Sequence, residues 1–197
     1  MNSLVSNNLE INEISYKVTV RAIICDAPAR AMVMGIKHHT GYSCCHMCQQ
    51  VGEWKNGRMT FPVEHTVPRT DADFREKIDK AHHRYMSEMA MEKLPIDVVQ
   101  NFPFDYMHVV CLGVMKSLFK AWLRGKNNNY TLSADNSMRL NGSLQKLKSH
   151  IPKEFCRKPR DLKEMERFKA TEFRQFLLYT GPVALRDVLS QERYEHF

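Results

Sequence analysis

The chain has 197 residues, of which 43% are hydrophobic, so it is long and apolar enough to bury a core and is not compositionally disordered. Its 29 Lys and Arg against 22 Asp and Glu give a net charge of +7, which admits a polyanionic partner without demanding one. No apolar run approaches the roughly 20 residues needed to span a bilayer. The polar start Met1 to Asn8 lacks the charged-then-apolar layout of a secretory signal, so an intracellular protein with no membrane partner is expected. Six cysteines, two of them as Cys45-x-x-Cys48, read as reduced thiols with one metal-type pair rather than as a disulfide framework.

Residues Tyr16 to Cys25 alternate, with Tyr16, Val18, Val20, Ala22 and Ile24 on one face and Lys17, Thr19 and Arg21 on the other; period two predicts a strand. The strand delivers Asp26 at its end, and Pro28 suits the first turn of a short helix towards Gly35. From Lys37 to Pro68, Gly, Cys, His and Pro predominate, which predicts a compact irregular segment with one short strand near Met59 to Phe61. Thr70 starts a helix along Phe74, Ile78, Ala81 and Tyr85 to about Met91. The strongest helix follows Pro103 and runs through Asp105, Met107, Val110, Val114, Leu118 and Trp122, with Lys120 and Arg124 near its end and Gly125 after it. Asn127 to Tyr130 reads as a turn, Ser133 caps a helix reaching about Ser149, and Pro152 to Arg160 is a basic loop. Thr171 opens a short helix that Gly181-Pro182 closes, and a last helix runs from Val183 to Leu189. There is no repeat and no low-complexity tract.

Each chemical motif has two readings on local evidence. Asp26 is either the N-cap of the helix that follows or a hard oxygen ligand for magnesium at a strand end. Two thiolates at the Cys45-x-x-Cys48 spacing reach one zinc ion, and Cys44, His46, His38 and His39 add ligand capacity; the plain alternative is two packed thiols. One pair is half a site, and His82, His83 and His108 are the intrachain candidates to complete it. Asp105-x-x-His108 puts a carboxylate and an imidazole three apart at a helix start, either as a functional pair or as a helix-start carboxylate beside a half-buried histidine. Lys146, Lys148, Lys153, Arg157, Lys158 and Arg160 form a basic cluster that tracks phosphates or simply faces solvent, interrupted by Glu154, Asp161 and Glu164. Met86, Met89 and Met91 read as core filling.

Taken together, the segments resemble transposases of the CACTA (En/Spm) class, most closely those found as open reading frames in animal genomes. The resemblance covers nearly the whole chain. It rests on Ala22-Ile23-Ile24-Cys25-Asp26-Ala27-Pro28-Ala29-Arg30 and on His39-Thr40-Gly41-Tyr42 leading into Cys45-x-x-Cys48. It rests equally on the stretches Phe102 to Val114 and Lys169 to Pro182. The resemblance implies a ribonuclease H-like catalytic domain in which two Asp and a distant Glu hold two divalent metals, Mg or Mn, for cut-and-paste phosphoryl transfer. Asp26 matches the second Asp. Cys45 and Cys48 match a zinc-binding pair also seen in the related recombinase that assembles antigen-receptor genes, and Asp105-x-x-His108 matches the C/D-x-x-H motif of the helical insertion. The first Asp would lie upstream of Met1 and the Glu downstream of Phe197, with part of the zinc-ligand set also downstream. Cys44 stands where relatives tend to carry a small residue.

The expectation is therefore an α+β fragment. Residues 1–36 belong to a ribonuclease H-like core with one or two strands, 37–68 form a Cys/His-rich irregular segment, and 69–197 form a mostly helical insertion. Functionally it reads as a nuclear transposase fragment lacking two of three catalytic acids, with DNA or full-length transposase as partner. The alternative is a co-opted, zinc-ordered module that binds DNA or protein.

Overall fold

The computed structural model describes residues 8–126 and 130–197. The expected turn at Asn127 to Tyr130 lies outside them except for Tyr130, as does the polar start except for Asn8. The chain is mixed α+β and divides into two compact units, the first ending at Asp105 and the second starting at Tyr106. This division falls inside the Asp105-x-x-His108 motif and not at residues 36 and 68.

The first unit opens with β1 (Leu9–Ile11) and β2 (Ile14–Tyr16), an antiparallel hairpin pairing Leu9 with Tyr16. Asn12 and Glu13 turn it with positive φ at both central positions. The strand expected from Tyr16 to Cys25 does not form beyond Tyr16. A strand needs a ladder, and among the described residues the only backbone partner for this stretch is the segment 101–104. Ile23 N donates to Asn101 O at 2.8 Å, and Cys25 makes an isolated parallel bridge with Phe104. The alternation also slips, since Ile23 turns inward while Ile24 is 68% exposed.

The helix after Asp26 forms as expected: α1 (Ala27–Met34) has Asp26 as N-cap and Pro28 in its first turn. Gly35 closes it at φ 66°, a left-handed cap that favours glycine. A second hairpin, β3 (Glu53–Lys55) and β4 (Arg58–Thr60), sits within the irregular segment, turned by Asn56-Gly57 with positive φ at both. The helix expected from Thr70 to Met91 is cut to α2 (Asp71–Arg75), capped by Thr70. Lys77 then takes φ 56°, which ends regular helix, and Asp79 collects the backbone N–H groups of Ala81 and His82 into a turn. A 3₁₀ turn follows at Ala90–Lys93. The core of this unit is Ala31, Met34, Ile36, Phe74, Met91, Leu94, Ile96, Val98, Val99 and Phe102.

The second unit is helical. A π-helical segment, Met107–Met115, runs straight into α3 (Lys116–Arg124). The buried face is Cys111, Met115, Phe119 and Trp122, whereas Val114 is 53% exposed, so the expected Val110, Val114, Leu118 face is rotated. The wider i→i+5 hydrogen bonding of a π segment favours steps of four over three, which is how Cys111, Met115 and Phe119 line up. Gly125 ends α3 in extended conformation; a Cβ there would lie 2.4 Å from Ala121 O, so only glycine fits. Next come α4 (Ala134–Leu147), capped by Ser133, a 3₁₀ turn at Leu162–Arg167, and α5 (Ala170–Gln175). Gly181-Pro182 does not close the helix. The chain continues through a π segment, Phe176–Thr180, into α6 (Gly181–Leu185), because Pro182 sits at a helix start, where its missing N–H is harmless. The expected helix from Val183 to Leu189 is absorbed in part by α6, and α7 (Gln191–Glu195) follows. α5 packs on the π segment Met107–Met115.

Candidate metal half-site at Cys45 and Cys48

The segment carrying the thiols is ordered by polar bonds more than by apolar packing. Residues 47–49 run beside 67–69: Gln49 N donates to Val67 O at 3.0 Å, Arg69 N donates to Met47 O at 2.9 Å, and Cys48 bridges Pro68. The turn between the two cysteines brings their Sγ atoms to 3.4 Å. Cys44 is not part of this pair, because its thiol points to the carbonyl of His39 at 3.5 Å. Two sulfurs each about 2.3 Å from one tetrahedral zinc stand about 3.8 Å apart, so a slight opening of the pair suits the ion.

The two thiols differ in acidity. Burial pushes Cys45 up, helped by its bond with Cys48. Burial opposes ionisation of Cys48 as well, but hydrogen bonds with the Thr66 hydroxyl, the Gln50 N–H and Cys45, together with the Arg69 charge, hold it below the ordinary thiol value. Cys48 is therefore the first thiolate of the pair, and the thiolate is the form that ligates metal.

His46, inside the turn, is turned away from ligand duty. Its Nε2 donates to Phe102 O at 2.8 Å and its ring meets the Phe104 ring edge-on at 4.8 Å; burial lowers its pKa to about 4. His38 and His39 lie exposed, with ring centroids 4.0 Å apart. His82 and His83 are buried together. His82 Nδ1 donates to Ser43 O at 2.7 Å, while His82 Nε2 and His83 Nδ1 have no hydrogen-bond partner among the described residues. Burial lowers both, His82 to about 4. Among the described residues no group of three or more His, Cys, Asp or Glu converges on a metal position, so the expected approach of His82 or His83 to the thiols is not seen within the first unit. The two thiols have no third candidate ligand beside them among the described residues. His83 instead lines a cleft of about 240 Å³ with Gln49, Arg69, Asp73, Phe74, Ile78 and Asp79.

No family model matches the sequence, and neither the curated proteins nor the solved structures give a significant match.

Asp26 is half-buried, and its Oδ1 accepts from Ala29 N at 2.8 Å, so its capping role is realised. The parallel bridge between Cys25 and Phe104 makes Asp26 and Asp105 the next residues along two adjacent chain segments. Asp105 is the last residue of the first unit, and His108 lies in the first turn of the second unit's leading helix. Among the basic residues, Arg160 is committed internally. It bonds Glu172 at 2.7 Å and Glu164 at 3.0 Å, donates to Arg167 O at 2.8 Å and stacks over Phe168 at 5.0 Å. Lys146, Lys148, Lys153, Arg157 and Lys158 are exposed and make no ion pair among the described residues.

Sequence reasoning missed Ser43, Arg69 and Asp79, which hold the thiol turn. Nothing in their spacing marks them, since they meet only after the chain has doubled back.

The buried neutral imidazole gives a pH dependence. His82 is fully buried, between Arg69, His83 and Asp79, with a folded pKa near 4 against 6.5 ordinarily. The unfolded chain binds this proton first as pH falls, so the His82 contribution is expected to cost the first unit stability from about pH 6.5 down to about 4 and to saturate below that. His46 acts in the same direction. The gap at His82 bounds its share at about 3 kcal/mol. Urea unfolding at pH 7 and pH 4.5, with chelator in both, should show His82→Gln flattening the dependence; equal acid losses in wild type and variant would rule this out.

Proposed function

We propose that this chain is an internal piece of a CACTA-type DNA transposase that does not cut DNA by itself. The reading rests on the ordered set of four sequence stretches and is carried by one structural observation. Nineteen residues after Asp26, counting from position 26 to 45, a turn holds two thiols 3.4 Å apart, a slight opening short of the separation of two sulfurs on one zinc. Asp26 stands for the second catalytic acid, vestigial here, and Cys45 and Cys48 for half of the family's zinc site. Within these residues the resemblance supplies one acid of three, and a single carboxylate does not fix two metals in the geometry of in-line attack at phosphate. The protein's place would be the nucleus, with DNA or a full-length transposase as partner.

The isolated chain is expected to neither nick nor join DNA with magnesium or manganese. Metal-dependent nicking abolished by Asp26→Ala would show that further acids within these residues complete the site, Asp105 first among them. Purified protein is expected to lose bound zinc on Cys45→Ser or Cys48→Ser and keep it on Cys156→Ser, since Cys156 is exposed in the other unit. Equal loss in all three variants, or none bound in the wild type, would reduce the pair to packed thiols.

The second reading, a co-opted DNA-binding module, is favoured by the five exposed, unpaired cations between Lys146 and Lys158. It requires DNA affinity that falls steeply with salt and drops when Lys153, Arg157 and Lys158 are changed to glutamate. No helix among the described residues is long and apolar enough to cross a membrane.

A further inference from the structure

The chain reversal that pairs 67–69 with 47–49 carries the Arg69 side chain against the thiol turn, where the residue is 6% exposed. Its Nε donates to two carbonyls, Cys45 O at 2.9 Å and Cys48 O at 3.0 Å. These are the first and last residues of the turn that presents both sulfurs, so one planar donor ties the two ends together. A terminal guanidinium nitrogen donates to Asp79 Oδ2 at 2.7 Å and to Ser43 Oγ at 3.2 Å, and Ser43 Oγ donates to the same carboxylate oxygen at 3.0 Å. The Ser43 carbonyl in turn accepts from His82 Nδ1. The residues before the turn, the turn itself and the returning segment are thus fixed to one side chain.

Loop stability alone does not call for this arrangement. A buried guanidinium whose one carboxylate partner is itself 28% exposed recovers only part of its desolvation cost, and apolar packing would close the same loop as well. What the planar guanidinium adds is direction: its single Nε–H is shared by the two carbonyls while a terminal nitrogen is held by Asp79 and Ser43, an orientation that a lysine ammonium, a point donor on a flexible stem, does not fix.

We infer that Arg69 is a positioning residue for the thiol pair. It holds Cys45 and Cys48 near the separation that two thiolates take on one tetrahedral thiophilic cation before that cation arrives, while Asp79 and Ser43 set the plane of the guanidinium. The inference rests on the metal reading of the pair given above. Its physical content is preorganisation: less ordering remains to be done on binding, so affinity rises without any new contact to the ion.

The test uses the full chain, stripped of metal and kept reduced, titrated with Co(II) and followed by thiolate-to-cobalt charge-transfer absorption. A second arm titrates phenylarsine oxide, which needs both sulfurs on one arsenic atom. A third measures single-thiol alkylation by iodoacetamide, cysteine by cysteine. Arg69→Lys is expected to weaken cobalt and arsenical capture by roughly 10- to 100-fold, as outer-sphere substitutions do. The cobalt spectrum should keep its shape and the alkylation rates of Cys45 and Cys48 should stay within about twofold, a combination that mere loosening of the chain does not produce. Asp79→Asn keeps both carbonyl bonds but frees the guanidinium plane, so it should weaken capture by less than Arg69→Lys, and it decides the matter if Arg69→Lys does not fold. Unchanged capture in these variants, or a loss that appears only with faster alkylation of every cysteine, overturns the positioning role. A wild-type chain that takes up no cobalt overturns the metal reading instead, and the arsenical arm still judges Arg69.

Discussion

Glu92→Gln is expected to destabilise the first unit by about 3 to 5 kcal/mol, which is the usual consequence of removing one partner from a buried ion pair. Lys77 and Glu92 are 7% and 4% exposed at their side chains and bond directly to each other. Lys77 Nζ also sits 5.1 Å from the centre of the Phe74 ring, and Glu92 accepts from Met89 N at 3.2 Å. A glutamine keeps an oxygen for Met89 N and nearly the same volume, so the substitution isolates the charge. What remains is an ammonium with no counter-charge in direct contact, beside the buried His83. Lys77→Met should be costly for the mirror reason. The double variant Lys77→Met with Glu92→Gln leaves no charge at this pair, and is expected to lose less than either single change. The coupling should therefore exceed about 3 kcal/mol. Hydrogen exchange over the peptides containing residues 71–94 reads the effect locally, as suits a chain with two compact units. Additive losses, or a loss below about 1 kcal/mol in Glu92→Gln, would show that this pair is solvated in solution.

Where the physics is local, the sequence foretold the structure. Asp26, Pro28 and Gly35 act within one short helix, and α1 forms between them as read. Ser133 and Gly125 likewise mark real helix ends. The failures arise where a partner decides. The alternation from Tyr16 to Ile24 is genuine strand pattern, yet a strand is a relation between two segments, and beyond Tyr16 only residues 101–104 meet it among the described residues, at its far end. The helical spacing of Phe74, Ile78, Ala81 and Tyr85 was overruled by Lys77 in a left-handed conformation and by the Asp79 turn. The hairpin turned by Asn56-Gly57 was missed, only one short strand near Met59 to Phe61 being expected there, although both residues accept positive φ.

The candidate site divides in the same way. Cys45 and Cys48 were legible because their relation is a spacing of three, and the structure adds that Cys44 faces elsewhere. Arg69, Asp79 and Ser43 were not legible. Their meeting depends on a chain reversal between residues 49 and 67, and an arginine next to a helix cap looks like any surface cation until its burial is known. Arg160 shows the converse. It read as one of six phosphate contacts, but Glu172, nearly fully buried, claims it, because a buried carboxylate must be paired and the other five cations are not placed to do it.

In the second unit the side chain on which most depends is Phe119, and Phe119→Ala is expected to cost about 3 to 5 kcal/mol there. Phe119 is fully buried, with ring centroids 4.5 Å from Phe176, 5.6 Å from Phe173, 5.8 Å from Trp122 and 6.4 Å from Phe168. It therefore joins α3 to the Phe168 turn, α5 and the π segment after it. By comparison, the Glu166 pairs with Lys116, Lys120 and Arg124 are largely exposed and contribute about 1 kcal/mol or less each. Truncation to alanine removes a ring whose edge-to-face contacts add about 0.5 to 1.5 kcal/mol per pair beyond burial, and the surrounding rings, each held by a different element, close the gap only in part. Phe119→Leu, which fills more of the space, should lose less than half as much. Tryptophan emission reads the result directly: Trp54 is already 58% exposed, so a red shift on denaturant unfolding reports Trp122, which is 9% exposed and touches the Phe119 ring. The transition should move to lower urea in Phe119→Ala and only slightly in Glu166→Gln. If the two variants shift it equally, the aromatic cluster is not what holds this unit together.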